Sequence, residues 1–188
     1  MQHPSMSQLA EGLAQRSVAT LRYQFPFMDR GTRRPDPPAV AHATVRAAVA
    51  EARRRAGELP LFAGGRSFGG RMTSQAQSIA PLPEVRGLVF FAFPLHPAGK
   101  PGVTRAEHLG HVHLPMLFVQ GTRDPLADLS LLQRVIVPSA ERATLHLVEQ
   151  GDHSFRVPAS AGRKPATVLS ELLDGAAEWI HAASMPKD

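Results

Sequence analysis

The sequence predicts an α/β fold, a mostly parallel sheet of about five strands with helices on both faces. Three observations carry that prediction. Segments of helical period alternate with short strand-like runs along the chain, which is the pattern of successive βα units. Two of those runs, residues 87–93 and 114–119, are continuously apolar rather than alternating, as strands covered by helices on both faces must be. Glycine, acidic and histidine residues gather just after strand-like runs, at the carboxyl edge where open α/β sheets place their chemistry.

In chain order, Met6, Leu9, Leu13 and Ala14 recur at helical spacing and predict a helix over 5–16. Residues 18–25 read as the first strand. Asp36 followed by Pro37 and Pro38 predicts a helix start, with Asp36 as N-cap and the prolines in the first turn. That helix continues through Ala-rich sequence to Gly57, and Arg53, Arg54 and Arg55 then sit where its C-terminal dipole favours positive charge. A strand over 59–63 leads into a helix over 67–79, and residues 87–93 and 114–119 are the central strands. A helix over 126–137, a fifth strand over 143–148 and a closing helix over 166–183 come next, the last with Leu169, Leu172, Leu173, Ala176 and Ile180 on its apolar side. There is no internal repeat or linker, and 188 residues fit one domain spanning 1–188.

Composition narrows the function. A hydrophobic share of 43% with 20% charged residues is globular, and no long apolar run or basic-then-apolar leader is present, so neither a membrane partner nor secretion is expected and the cytoplasm is the expected site. With no cysteine, a thiolate nucleophile and a Cys-based zinc site are excluded; any nucleophile is an oxygen. The net charge of +5 could suggest nucleic acid, but Arg30, Arg33 and Arg34 lie in a loop and one Tyr and one Trp offer no stacking platform, so no nucleic-acid partner is expected. His108, His111 and His113 have no carboxylate companion and read as solvent-facing rather than as zinc ligands. Neither metal nor cofactor is expected.

The chemistry lies in Gly65-Arg66-Ser67-Phe68-Gly69. A serine on a tight strand-to-helix turn stands clear of the backbone, and glycines two residues before and after it remove side chains that would collide there. Such a serine needs a neutral imidazole to accept its proton, and the imidazole needs a carboxylate on its other nitrogen. Two further strand ends supply candidates: Gln120-Gly121-Thr122-Arg123-Asp124 and Gly151-Asp152-His153-Ser154-Phe155. Asp124 is the leading acid, with Asp128 a helical turn later as second candidate; Asp152 adjoins His153, and neighbouring side chains on an extended segment diverge. The order Ser67, Asp124, His153 is that of α/β-hydrolases.

Residues 63–72 around the elbow, 93–101 (Phe93 through Leu95, His96 and Lys100 to Pro101), 117–124 and 151–155 together resemble the small, lidless α/β-hydrolase-like proteins. These are related to dienelactone hydrolases, to the testis-expressed hydrolase-like protein and to a regulatory subunit of the nonspecific-lethal complex. The resemblance covers nearly all of the chain. It implies an α/β-hydrolase-like fold and a serine hydrolase, carboxylesterase-like, acting on a small ester or related acyl substrate, with Ser67 as nucleophile, Asp124 as acid and His153 as base. The Phe68 N–H is the expected oxyanion donor, and Tyr23, Phe27, Phe93, Leu95, His96 and Phe155 are the expected substrate-binding residues. The resemblance also implies N-terminal strands, one with a loop donating a second oxyanion N–H, that precede the segment opening at Met1-Gln2-His3-Pro4. The expectation is therefore an N-terminally short chain, with Met1 internal to a longer reading frame or with strands 18–25 and 59–63 paired directly. A noncatalytic binding or scaffold module is the alternative, inactive for want of that loop.

Overall fold

In the computed structural model, which describes residues 4–185, the apolar runs become a four-stranded sheet. Its strands are β1 (Leu61–Arg66), β2 (Val85–Phe91), β3 (Met116–Gly121) and β4 (Ala143–Val148). They lie side by side in chain order, every neighbouring pair parallel. The helices are α1 (Pro4–Ala14), α2 (Pro26–Asp29), α3 (Pro38–Ala56), α4 (Phe68–Ile79), α5 (Leu129–Ile136) and α6 (Pro165–Ser184). Met1, Gln2 and His3, on which the expected chain start turns, lie outside the described residues.

The continuous apolar runs are explained by two cores. Leu88 and Phe90 of β2 and Met116 and Phe118 of β3 face one side, packed with Ala41, Val45 and Val49 of α3, Met72 and Ala76 of α4 and Leu132 of α5. The alternate residues Val89, Phe91, Leu117 and Val119 face the other, against Leu9 and Leu13 of α1 and Leu172, Leu173 and Ala176 of α6. Strand side chains alternate between faces, so two covered faces require a run with no polar member. Burying side chains of this size contributes about 1.5–3 kcal/mol each, and these layers fix the sheet that presents the site.

Two expectations fail. Residues 18–25 form no strand; the segment runs from α1 to α2 without entering the sheet, while Phe25 is buried among the side chains of α3 and α4 and Tyr23 and Phe27 pack against them. Its alternation reports one buried face. It cannot report a ladder, because a ladder depends on a neighbouring backbone; among the described residues β1 pairs with β2 alone. Asp36 is not the cap of α3 either. Pro37 occupies that position without a side-chain cap, and the Asp36 carboxylate turns back to accept the Phe27 N–H at 2.8 Å and pair with Arg30.

Candidate active site

β1 runs three residues further than its apolar sequence predicts, through Gly64, Gly65 and Arg66, and passes directly into Ser67 and α4. Ser67 has φ 52° and ψ −118°, a left-handed conformation that costs a residue with a Cβ about 1–3 kcal/mol and persists only where neighbours impose it. Here they do. The Ser67 N–H donates to the Phe91 carbonyl at 2.9 Å, and the Ser67 carbonyl accepts the Arg71 N–H at 3.2 Å. The tight glycine is Gly70 rather than Gly69: a Cβ on Gly70 would stand 2.7 Å from the Gly65 carbonyl oxygen, whereas one on Gly69 would meet only the Phe25 ring at 3.8 Å. The Phe68 N–H, in the first helical position, has no carbonyl of the helix to bond.

Asp124 follows β3 and its side chain is fully buried. Its Oδ1 accepts the Leu126 N–H at 2.8 Å. Its Oδ2 accepts from Gln120 Nε2 at 2.6 Å and lies 2.7 Å from His153 Nδ1. The other ring nitrogen, His153 Nε2, is 2.8 Å from Ser67 Oγ. A carboxylate against Nδ1 places the proton there, which leaves Nε2 as the acceptor for the serine hydroxyl.

The loop carrying His153 is held from several directions. Gly121 lets the Gly151 carbonyl approach so closely that any Cβ would overlap it, and the Arg123 N–H donates to that carbonyl at 2.9 Å. Asp152 closes the turn by accepting the Ser154 and Arg156 N–H groups at 2.7 and 2.9 Å. Arg66 Nη2 donates to the His153 carbonyl and to Ser154 Oγ, both at 2.9 Å. Asp128, the second candidate acid, instead caps α5: it accepts from Leu131 N–H at 3.0 Å and Ser130 Oγ at 2.7 Å, bonds that hold its carboxyl below the usual carboxylate range.

The expected substrate wall divides. Tyr23, Phe27 and Phe68 gather around Phe25, with the Phe68 ring 5.1 Å from Phe25 and 5.8 Å from Phe27. Phe93 and Leu95 do not join them. Both are wholly buried, and Phe93 packs edge-on against Phe90 and Phe118 at 5.4 and 5.7 Å; an apolar residue just beyond a central strand is drawn into the core. His96 is buried as well. Its Nδ1 donates to the Pro97 carbonyl and its Nε2 accepts the Asp128 N–H, each at 2.9 Å, so the ring braces the loop after Asp124. Phe155 packs on the opposite layer, with α1 and α6. Lys100 is exposed.

His108 was expected to face solvent, yet it is mostly buried with Nε2 2.7 Å from Ser74 Oγ. Burial, aided by Arg71, His42 and His111, pushes its pKa down to about 4. His111 and His113 are exposed. Among the described residues no three His, Asp or Glu side chains are grouped so as to hold a metal ion, and no helix is long and apolar enough to cross a membrane.

Sequence reasoning missed Gln120, Arg66 and the task of His96. A polar residue ending an apolar strand was the available signal for Gln120. Arg66 and His96 gave none, since their partners lie 87 and 32 residues away.

Solved structures share this architecture. An alpha-beta serine hydrolase homologue from Coxiella burnetii is 17% identical, with a TM-score of 0.69 over 95% of this chain and 76% of that one. An α/β serine hydrolase without lid from Xanthomonas campestris is 20% identical, with a TM-score of 0.70 over 95% of this chain and 75% of that one. The esterase domain of a Rhodothermus marinus protein is 15% identical, with a TM-score of 0.66 over 93% and 78%. At such identities the likeness is one of fold. The alpha/beta hydrolase domain family matches residues 1–181, nearly the whole sequence, and the chain belongs to that family.

Proposed function

We propose that this member of a hydrolase family is a serine hydrolase that cleaves a small ester or related acyl substrate through an acyl-enzyme. One observation carries the reading: an unbroken hydrogen-bonded line runs from Ser67 Oγ through both ring nitrogens of His153 to Asp124 Oδ2. In the proposed cycle His153 Nε2 takes the Ser67 proton as Oγ attacks the acyl carbon, and the Phe68 N–H faces the developing oxyanion. Nε2 then returns the proton to the leaving oxygen. Water, deprotonated by Nε2, attacks the acyl-enzyme and releases the acid, and Ser67 regains its proton. Asp124 keeps the imidazole in the right tautomer and offsets its positive charge. No cofactor enters these steps.

The connection from β2 to β3 favours a small substrate. Residues 92–115 contain one short 3-10 helix, Glu107–His111, and otherwise loop, with no helical cap to enclose a long chain. The likeness to a lidless serine hydrolase and to an esterase domain agrees with that preference. A fluorophosphonate probe should label the folded protein at Ser67 and should not label Ser67→Ala; a panel of short acyl esters and thioesters then identifies the substrate. No labelling of the wild type, or labelling that survives Ser67→Ala, would remove the nucleophile assignment and leave a binding module on a hydrolase fold.

A further inference from the structure

The catalytic histidine and the nucleophile come from opposite ends of the sheet. Ser67 follows β1, whereas His153 follows β4, three strands away. Neighbouring strands are about 4.8 Å apart, so the loop after β4 must lean across the carboxyl ends of β3 and β2 to bring Nε2 within 2.8 Å of Ser67 Oγ. On its own side that loop is fixed to β3 and the residues after it, through Thr122 to the Gln150 N–H and through Arg123 to Gly151. On the nucleophile side, the Ser67 hydroxyl apart, one side chain of β1 or α4 hydrogen-bonds it among the described residues. That residue is Arg66.

We propose that Arg66 is a positioning residue, a clamp from the nucleophile strand that sets the reach of the His153 imidazole toward Ser67; the proposal rests on the serine hydrolase reading. Arg66 is the last residue of β1 and precedes Ser67 directly, so the strand that delivers Oγ also delivers the guanidinium. A single nitrogen, Nη2, donates to the His153 carbonyl and to Ser154 Oγ at 2.9 Å each. One bond grips the backbone of the base itself, and the second grips its neighbour, which fixes the direction of the loop as well as its distance. The acceptors are neutral and the donor charged, so these bonds are stronger than the loop's neutral ones. Burial and the nearby Arg156 act against the charged guanidinium while Asp124 and Asp152 favour it, so it is the two hydrogen bonds that hold it over the loop. Arg66 hydrogen-bonds the loop's backbone and Ser154, not the Ser67 hydroxyl or the imidazole nitrogens. It acts through the place of His153.

The test compares wild type with Arg66→Met, Arg66→Lys and Ser67→Ala in the full chain, by ester hydrolysis, by fluorophosphonate labelling rate and by the low-field NMR resonance of the His153 Nδ1 proton. Misplacing a reacting group by about 1 Å can cost about 100-fold; Arg66→Met should therefore lower kcat and the labelling rate by about 10- to 100-fold, with KM changed by no more than about twofold. Its Nδ1 resonance should broaden or shift while the melting temperature stays close to wild type. Arg66→Lys, which keeps the charge and can reach one acceptor, should fall between. Wild-type kcat with an unchanged resonance in Arg66→Met overturns the clamp, and so does a loss confined to KM, which would make Arg66 a substrate contact. Activity surviving in Ser67→Ala overturns the underlying reading instead. The resonance needs no turnover and decides the clamp even then. If Arg66→Met does not fold, Arg66→Lys and Ser154→Ala report the same quantities.

Discussion

Gln120→Leu separates the hold on Asp124 from the hold on the fold. Gln120 is fully buried at the end of β3; its Nε2 donates to Asp124 Oδ2 at 2.6 Å, while its Oε1 is buried with no hydrogen-bond partner. The native side chain thus carries one favourable term and one unfavourable term. A hydrogen bond to a charged group contributes about 1.5–3 kcal/mol, and an orphaned buried acceptor costs about 1–3 kcal/mol. Leucine removes both at similar volume, so the two nearly cancel and stability should change by less than about 1.5 kcal/mol. Activity has no such compensation. The carboxylate keeps the Leu126 N–H on Oδ1 but loses the donor that orients Oδ2 toward His153, and kcat should fall about tenfold, equivalent to about 1.4 kcal/mol of transition-state stabilisation. Urea unfolding with hydrolysis of a short ester reads both quantities. A stability loss above about 3 kcal/mol would mean that Oε1 is paired or that leucine does not fit, and an unchanged kcat would mean that Gln120 does not orient Asp124.

His108 should make stability fall in mild acid. Its pKa is about 4 in the fold against 6.5 ordinarily, so the unfolded chain binds more protons between those values; the contribution is intact above pH 6.5 and is lost as pH drops toward 4, by about 2 kcal/mol after allowance for its partial exposure. His108→Gln should lose less stability than wild type between pH 7 and 4.5 in urea titrations, and an equal loss would refute the assignment. Phe93→Ala, at a position wholly buried against Phe90 and Phe118, should cost about 3–5 kcal/mol of stability with KM unchanged. A raised KM in a protein of wild-type stability would return Phe93 to the substrate wall.

The parts legible in the sequence are those fixed within a few residues. The runs at β2 and β3 announce buried strands because both faces of each are covered, and Ser67, Asp124 and His153 could be singled out together because each falls in the short segment after a strand. Residues 18–25 mislead for the complementary reason. Tyr23 and Phe25 alternate with polar neighbours as a strand would, yet the alternation records a face turned to the core, and side chains carry no information about an adjacent ladder. The same limit hides Gln120, Arg66 and His96, whose polar atoms are spoken for by groups that only the folded chain brings near.

Two aspartates outside the Ser67–His153–Asp124 hydrogen-bonded line show the same limit at the level of single bonds. Asp36, one residue before two prolines, reads as a helix cap, and Asp128 reads as a spare acid. Their tasks are otherwise. A cap must reach the second or third helical N–H, and with Pro37 holding the cap position and Pro38 the first turn, Asp36 stands one residue too far out; it finds the Phe27 N–H instead. Asp128 directly precedes α5 and has the free Leu131 N–H in reach, so it caps. With its carboxylate committed there and its own N–H given to His96, Asp128 anchors the far end of the loop that begins at Asp124. Asp124 is thereby held from both sides: by Gln120 from the strand before it, and by the His96–Asp128 brace from the helix after it.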